Sequence, residues 1–147
     1  MYVDNAEKKI QAASLARDVL RLAQNSLVVN FRFLDRAVSA LSLSENDNVS
    51  LATDGDSLYY SPWFILHRYR AEQSGVTRDL LHCLLHCVYR HSFVKEDIDR
   101  LRWDLACDIA VENAINELNS PALRSARQGM QAACVNLLSE RLEALTA

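Results

Sequence analysis

Two histidines, His82 and His86, stand four residues apart in the segment Leu80-Leu81-His82-Cys83-Leu84-Leu85-His86-Cys87-Val88-Tyr89-Arg90-His91. On a helix that spacing puts both imidazoles on one face, one turn apart, where their ring nitrogens can meet a single ion. Imidazole nitrogen suits Zn²⁺ well. A second polar pair, Asp108 and Glu112, repeats the spacing further along. On a wheel through Leu101, Leu105 and Ile115, Asp108 falls between Leu101 and Ile115, and Glu112 falls beside Leu105. Both acids lie inside the apolar stripe, where carboxylates are rare unless paired or metal-bound. His82, His86 and Asp108 would make three ligands and leave a fourth position for water. Glu112 could hold one imidazole by its second ring nitrogen. The spacing also allows a metal-free network, with the acids paired to Arg90, Arg102 or the histidines. Either way something polar must face the histidines, because each buried unsatisfied group costs roughly 1–3 kcal/mol.

The elements that carry these residues are legible as helices. Leu80, Leu81, Leu84, Leu85 and Val88 form one broad apolar arc, which Cys83, Cys87 and Tyr89 extend. Such a helix is expected to be buried; Thr77 can cap it and His91 lies near its end. The acid-bearing helix is expected from Asp97 to Leu118, stopped by Asn119-Ser120-Pro121. Upstream, Ile10, Ala13, Ala16, Leu20 and Ala23 mark an amphipathic helix from Asn5 to Gln24, with a break at Asn25-Ser26. Phe31, Leu34, Val38 and Leu41 suggest a second, shorter helix, and Ser42 to Asn48 reads as a loop. Val49 to Tyr60 carries the β signal: alternation through Val49, Leu51 and Thr53, a turn at Asp54-Gly55-Asp56-Ser57, then Leu58-Tyr59-Tyr60. Ser61-Pro62 opens a helix with Trp63 and Phe64 as core aromatics, ended by Gly75. Met130, Cys134, Leu137, Leu138, Leu142 and Leu145 mark a final amphipathic helix without a stop signal, which is expected to lead to a further segment.

Composition bounds the rest. The chain has 147 residues, half of them hydrophobic and 24% charged, which is a globular balance and one domain's length. Only 3 Gly and 2 Pro argue for a mainly helical chain. The fold class expected is α+β, predominantly α-helical, with a small β-hairpin: one domain over 1–147, with a core at about 5–118 and a C-terminal helix within 121–147. A net charge of −3 without a Lys/Arg cluster speaks against a nucleic-acid surface. No apolar run reaches membrane-spanning length. The first residues lack the basic flank and apolar core of a secretory leader. The 4 Cys therefore suggest free thiols in a reducing cytoplasm rather than a disulfide framework.

The composite pattern resembles a known family. Leu-His-x-x-Leu-His-Cys-x-x-x-His at 81–91, then Trp103-Asp104-Leu105-Ala106-Cys107-Asp108-Ile109-Ala110-Val111-Glu112, is similar to the metallopeptidase-like domain found N-terminal to von Willebrand factor A-like domains in bacteria. Ala52-Thr53-Asp54-Gly55, Leu58-Tyr59-Tyr60-Ser61-Pro62 and the Phe31–Leu34 stretch match the same family, so the likeness spans about residues 10–118. The resemblance implies a zincin-like domain with His82, His86 and Asp108 as ligands of one Zn²⁺. It also implies a von Willebrand factor A-like domain and a MoxR-type AAA+ ATPase as partners.

One departure bears on activity. The family's His-Glu-x-x-His helix has a glutamate, the general base that takes a proton from the attacking water. This chain has Cys83 there. A thiol lacks the second oxygen, and Cys83 borders a buried arc, so inert packing is expected. The reading is a catalytically degenerate metallopeptidase-like module, structural or interactive in a larger assembly. The alternatives are an active zinc hydrolase with an unusual base and a metal-free helical interaction domain. His91, rotated off the ligand face, is expected to be a charge partner at the helix end. Leu58-Tyr59-Tyr60 is expected to cover the core or to form an edge strand. Cys87, Cys107 and Cys134 are expected to be small core residues.

Overall fold

The structure, a computed structural model, describes residues 2–94 and 97–141. Six helices and one three-stranded sheet are found there, so the fold is α+β and mostly helical. Helix α1 (Tyr2–Asn30) is followed by a 3₁₀ turn (Arg32–Leu34) and helix α2 (Asp35–Ala40). Strands β1 (Ser42–Glu45), β2 (Leu51–Thr53) and β3 (Ser57–Tyr60) come next. Helices α3 (Pro62–Ala71), α4 (Gln73–Val88) and α5 (Arg100–Glu117) precede a second 3₁₀ turn (Pro121–Leu123) and helix α6 (Gln128–Ser139).

Helix α1 runs straight through Asn25-Ser26, where a break was expected. Its buried stripe of Ala12, Ala16, Val19, Leu20, Ala23 and Leu27 continues past the polar pair, and burial outweighs the weak helix propensity of Asn and Ser. Ile10, expected on that stripe, is 71% exposed. Phe31, Leu34, Val38 and Leu41 all reach the core.

The hairpin is β2–β3, antiparallel, with Thr53 opposite Leu58 and Leu51 opposite Tyr60. Its turn is held by Asp54, whose Oδ1 accepts the N–H groups of Asp56 and Ser57 at 3.0 and 2.8 Å. Gly55 adopts φ +100°, which a side chain would resist. The expected loop at Ser42–Asn48 instead begins with β1, which pairs in parallel with β3. The strand order is β1-β3-β2. Leu58-Tyr59-Tyr60 is therefore the central strand, and the edge beside α4 is β2. Leu58 and Tyr60 point fully into the core.

Helices α3 and α4 are separated by a single extended residue, Glu72. Helix α4 therefore starts before the expected Thr77 cap, and Gly75 lies inside its first turn rather than ending α3. A Cβ on residue 75 would run into the Arg68 guanidinium. Arg68 is fixed there by Asp79 (Nε to Oδ2, 2.7 Å) and Glu72 (Nη1 to Oε2, 3.1 Å). Trp63 is 49% exposed, against expectation, while Phe64 packs on the core.

Helix α4 is the central element, packed by α1, α3, α5, β2 and the second 3₁₀ turn. Leu80, Leu81, Leu84 and Leu85 are buried as expected, whereas Val88 is half exposed. Helix α5 is N-capped by Asp99, whose side chain accepts from the Arg102 N–H. It ends at Asn119, which takes φ 45°. Helix α6 starts at Gln128 and buries none of its residues; Leu142 and Leu145 lie outside the described residues. None of the described helices is long and apolar enough to cross a membrane.

Candidate metal centre

The His pair and the acid pair face each other across the α4–α5 interface. His82 and His86 are half-buried, with Nε2 atoms 2.9 Å apart. Oδ1 of Asp108 lies 3.4 Å from His82 Nε2 and 3.1 Å from His86 Nε2. Three ligand atoms, one from each residue, fall within 4.8 Å of one another, a possible metal-binding triad. Four-coordinate zinc with bonds of about 2.0–2.1 Å sets its ligand atoms about 3.3 Å apart. The observed separations therefore suit a bound cation, and the donor set of two imidazoles and a carboxylate suits its chemistry.

The far sides of both imidazoles are engaged. Glu112 Oε1 lies 2.7 Å from His82 Nδ1. With Nδ1 donating its hydrogen to that carboxylate, the His82 lone pair is at Nε2, on the side of Asp108. His86 Nδ1 meets His91 Nδ1 at 3.0 Å. This overturns the helix-end role expected of His91, which is 7% exposed and turned inward. The cause is the way α4 ends. Arg90 takes a left-handed φ of 58°. The N–H groups of Arg90 and His91 then close onto the carbonyls of Cys87 and His86, both at 3.1 Å. This paired closure is a Schellman stop, and it folds residue 91 back over the last turn. Trp103 completes the cover, its Nε1 donating to the His91 carbonyl at 2.9 Å.

Asp108 reaches the histidines by a route other than the one the stripe suggested. Leu101 and Leu105 are 82% and 61% exposed, and the buried face of α5 is Cys107, Ala110, Val111 and Ile115. The acids lie at the border of that face. Asp108 is more than half exposed, while Glu112 is largely covered.

Sequence reading missed Arg78, one turn before His82. Its Nη2 meets Glu112 Oε2 at 2.6 Å. An arginine on the buried arc, in line with His82 and His86, was the available signal. Arg90 and Arg102, the partners considered for the acids, are elsewhere: Arg90 stacks on Phe93 and Arg102 pairs with Asp99.

The electrostatics follow from these contacts. Burial pushes His82 down, but the hydrogen bond and charge of Glu112, helped by Asp108, raise its pKa overall. Burial and the neighbouring His82 lower His86, and burial lowers His91. Burial pushes Glu112 up, yet His82 and Arg78 outweigh it and hold the carboxyl at about 2. Burial pushes the Cys83 thiol up to about 12, so the residue in the expected base position stays protonated. Cys107 is buried as expected, Cys87 is half-buried with its thiol 3.7 Å from the Thr53 hydroxyl, and Cys134 is exposed, against expectation.

Three hollows adjoin the triad, the smallest, of about 150 Å³, lined by His86, His91, Asp104 and Asp108 among others. A cleft of about 380 Å³ is walled by Leu51, Phe64, Arg68, His82, Cys83 and Glu112, among others. An apolar one of about 290 Å³ lies between α5 and α6, with Asp108 and Glu112 at its edge.

No curated protein and no solved structure matches the chain. A family model does, over residues 17–144, from within α1 to beyond α6, taking in both histidines, Asp108 and Glu112. The chain therefore belongs to the family described as a putative metallopeptidase domain.

Proposed function

We propose that this domain binds one Zn²⁺ through His82, His86 and Asp108 and is a degenerate metallopeptidase, serving as a structural or interaction module. The observation that carries the reading is the meeting of two imidazole nitrogens and one carboxylate oxygen; the resemblance to a His-Glu-x-x-His helix places Cys83 at the glutamate position. A bound zinc would supply a Lewis acid at this point. The chain's own groups hold it and do little more. Glu112 is no substitute base, because one oxygen is taken by His82 and the other by Arg78. Cys83 has a single polar atom and packs against the core. Asp104 shares a hollow with His86 and Asp108, and its carboxylate is paired with Arg100 at 3.1 Å.

The interaction role is supported by the helix ends that flank the site. Val88, Tyr89, Phe93, Leu101 and Leu105 are all exposed, near the end of α4 and the start of α5. The resemblance proposes a von Willebrand factor A-like domain and a MoxR-type ATPase as the partners. Four free cysteines suit a reducing compartment such as the cytoplasm. A metal-free network remains a competing reading, because Glu112 and His91 give His82 and His86 partners without an ion.

Metal analysis of protein purified without chelator tests the first step. About one zinc per chain in the wild type, lost in Asp108→Ala, supports the site; wild type that takes up no zinc even when offered it refutes it. For the loss of catalysis, peptidase activity in Cys83→Glu but not in the wild type supports degeneracy. Native activity that survives Cys83→Ala and dies with His82→Ala would instead show an enzyme with another base.

A further inference from the structure

Arg78 is a guanidinium sealed inside the fold. It is 3% exposed, on a helix whose other buried side chains are nearly all apolar. Its Nη1 donates to the Leu123 carbonyl at 2.9 Å. Its Nη2 faces Glu112 Oε2 at 2.6 Å, Asn116 Oδ1 at 2.9 Å and Gln131 Oε1 at 3.2 Å. A buried cation is costly to desolvate, and a methionine of similar length would fill the space without that cost. The cation is placed one turn before His82, against the same carboxylate that His82 uses.

The geometry gives that placement a consequence. A carboxylate held at one oxygen can swing about its side-chain torsions. Glu112 is held at both, by Arg78 at Oε2 and by His82 at Oε1. With Oε2 clamped and charged, Oε1 stays an acceptor aimed at Nδ1 of His82. The imidazole then keeps its hydrogen on Nδ1 and its lone pair on Nε2, the atom that faces Asp108 and His86.

We propose that Arg78 is a positioning residue of the metal centre, acting through Glu112 to fix the orientation and tautomer of His82 and so to set how tightly the centre holds its ion. This rests on the reading of His82 as a ligand. The same guanidinium also grips Leu123 and Gln131, so the second 3₁₀ turn and α6 are tied to the centre through one side chain. A purely structural role, stapling α4 to α5 and to the segment after it, predicts something different: a less stable protein with an unchanged site.

The experiment measures Zn²⁺ dissociation constants of the full chain by competition with a chromophoric chelator, together with the metal-free melting temperature. The variants are Arg78→Lys, Arg78→Met, Glu112→Gln and the double variant Arg78→Met/Glu112→Gln. Arg78→Met is expected to weaken Zn²⁺ binding by about 10–100-fold, with Arg78→Lys in between, since it keeps the charge but not the fork. In the Glu112→Gln background, Arg78→Met is expected to add little, because the relay is already cut. A lower melting temperature with wild-type zinc affinity in Arg78→Met and Arg78→Lys would overturn the proposal, as would fully additive effects of the two substitutions. If Arg78→Met does not fold, Arg78→Lys decides: wild-type affinity in that variant refutes the relay. A wild type that binds no Zn²⁺ fails at the earlier step, the ligand assignment itself, and takes the proposal with it.

Discussion

The Nε2 atoms of His82 and His86 stand 2.9 Å apart and turn toward the same oxygen of Asp108. Two imidazole nitrogens at that distance cannot both keep an unshared lone pair there. Either one carries a proton toward the other, or a cation lies between them and the carboxylate. The two cases differ in what a chelator does.

If a cation is held, its removal lowers stability by mass action. Zinc at a hundredfold excess over its dissociation constant contributes about 2.7 kcal/mol, which for a chain of this length raises Tm by roughly 5–10 °C. Calorimetry with and without chelator is expected to show that difference in the wild type and none in His82→Ala or Asp108→Ala. Equal melting temperatures with and without chelator in the wild type would favour the metal-free network.

The thiols are expected to differ in reactivity. Only the thiolate attacks an alkylating agent. Burial pushes Cys83 up to about 12, and Cys107 is buried and raised as well. Cys134 is exposed on α6. Mass-mapped iodoacetamide labelling of the native protein at neutral pH is expected to modify Cys134 first and Cys83 last or not at all. Early labelling of Cys83 would mean an accessible, activated thiol and would reopen the question of a nucleophile.

The face of α4 that supports the centre is expected to be far more sensitive than the exposed face of α5. Leu81 is fully buried in the core, so Leu81→Ala is predicted to cost about 2–5 kcal/mol in urea unfolding. Leu105 is 61% exposed, and Leu105→Ala is predicted to change stability by no more than about 0.5 kcal/mol. A large loss at Leu105 would mean that its face is covered in solution.

Acid should remove one identifiable contribution. Burial pushes the Glu72 carboxyl up, but the Ala126 N–H, the Arg68 guanidinium and the Ser125 hydroxyl together hold it below its ordinary value of 4.5. A carboxylate depressed by folding stabilises above its unfolded pKa, and that contribution fades as pH falls through the folded pKa. The Tm gap between wild type and Glu72→Gln is expected to be flat from neutral pH to about 5 and to close below that. A gap that widens on acidification would show that Glu72 is not the stabilising anion.

Much of this protein was legible in one dimension. The buried arc of α4, the His82–His86 spacing and the β2–β3 turn at Asp54-Gly55 are local patterns, set by helix periodicity and turn chemistry within a few residues. The pairing of the histidines with Asp108 could also be anticipated, although the Leu101–Leu105 stripe that suggested it proved to be exposed. Strand β1 escaped notice because a short polar segment gains its identity only by pairing with β3, a partner outside its own neighbourhood. Gly75 looked like a helix end, yet it stands inside α4 with the Arg68 guanidinium from α3 in the space a side chain would fill.

The fine structure of the centre was decided in three dimensions. His91 is turned inward by the left-handed Arg90, a conformation that residue type alone does not foretell. Arg78 meets Glu112 and Gln131 from three different helices, and its charge is affordable only because those acceptors are brought around it. Sequence by itself determined which side chains with ligand chemistry share a helix face, since that depends on the 3.6-residue turn. Tertiary packing decided which polar atoms each of them meets, since desolvation forces every buried charge to find its partner in the folded chain.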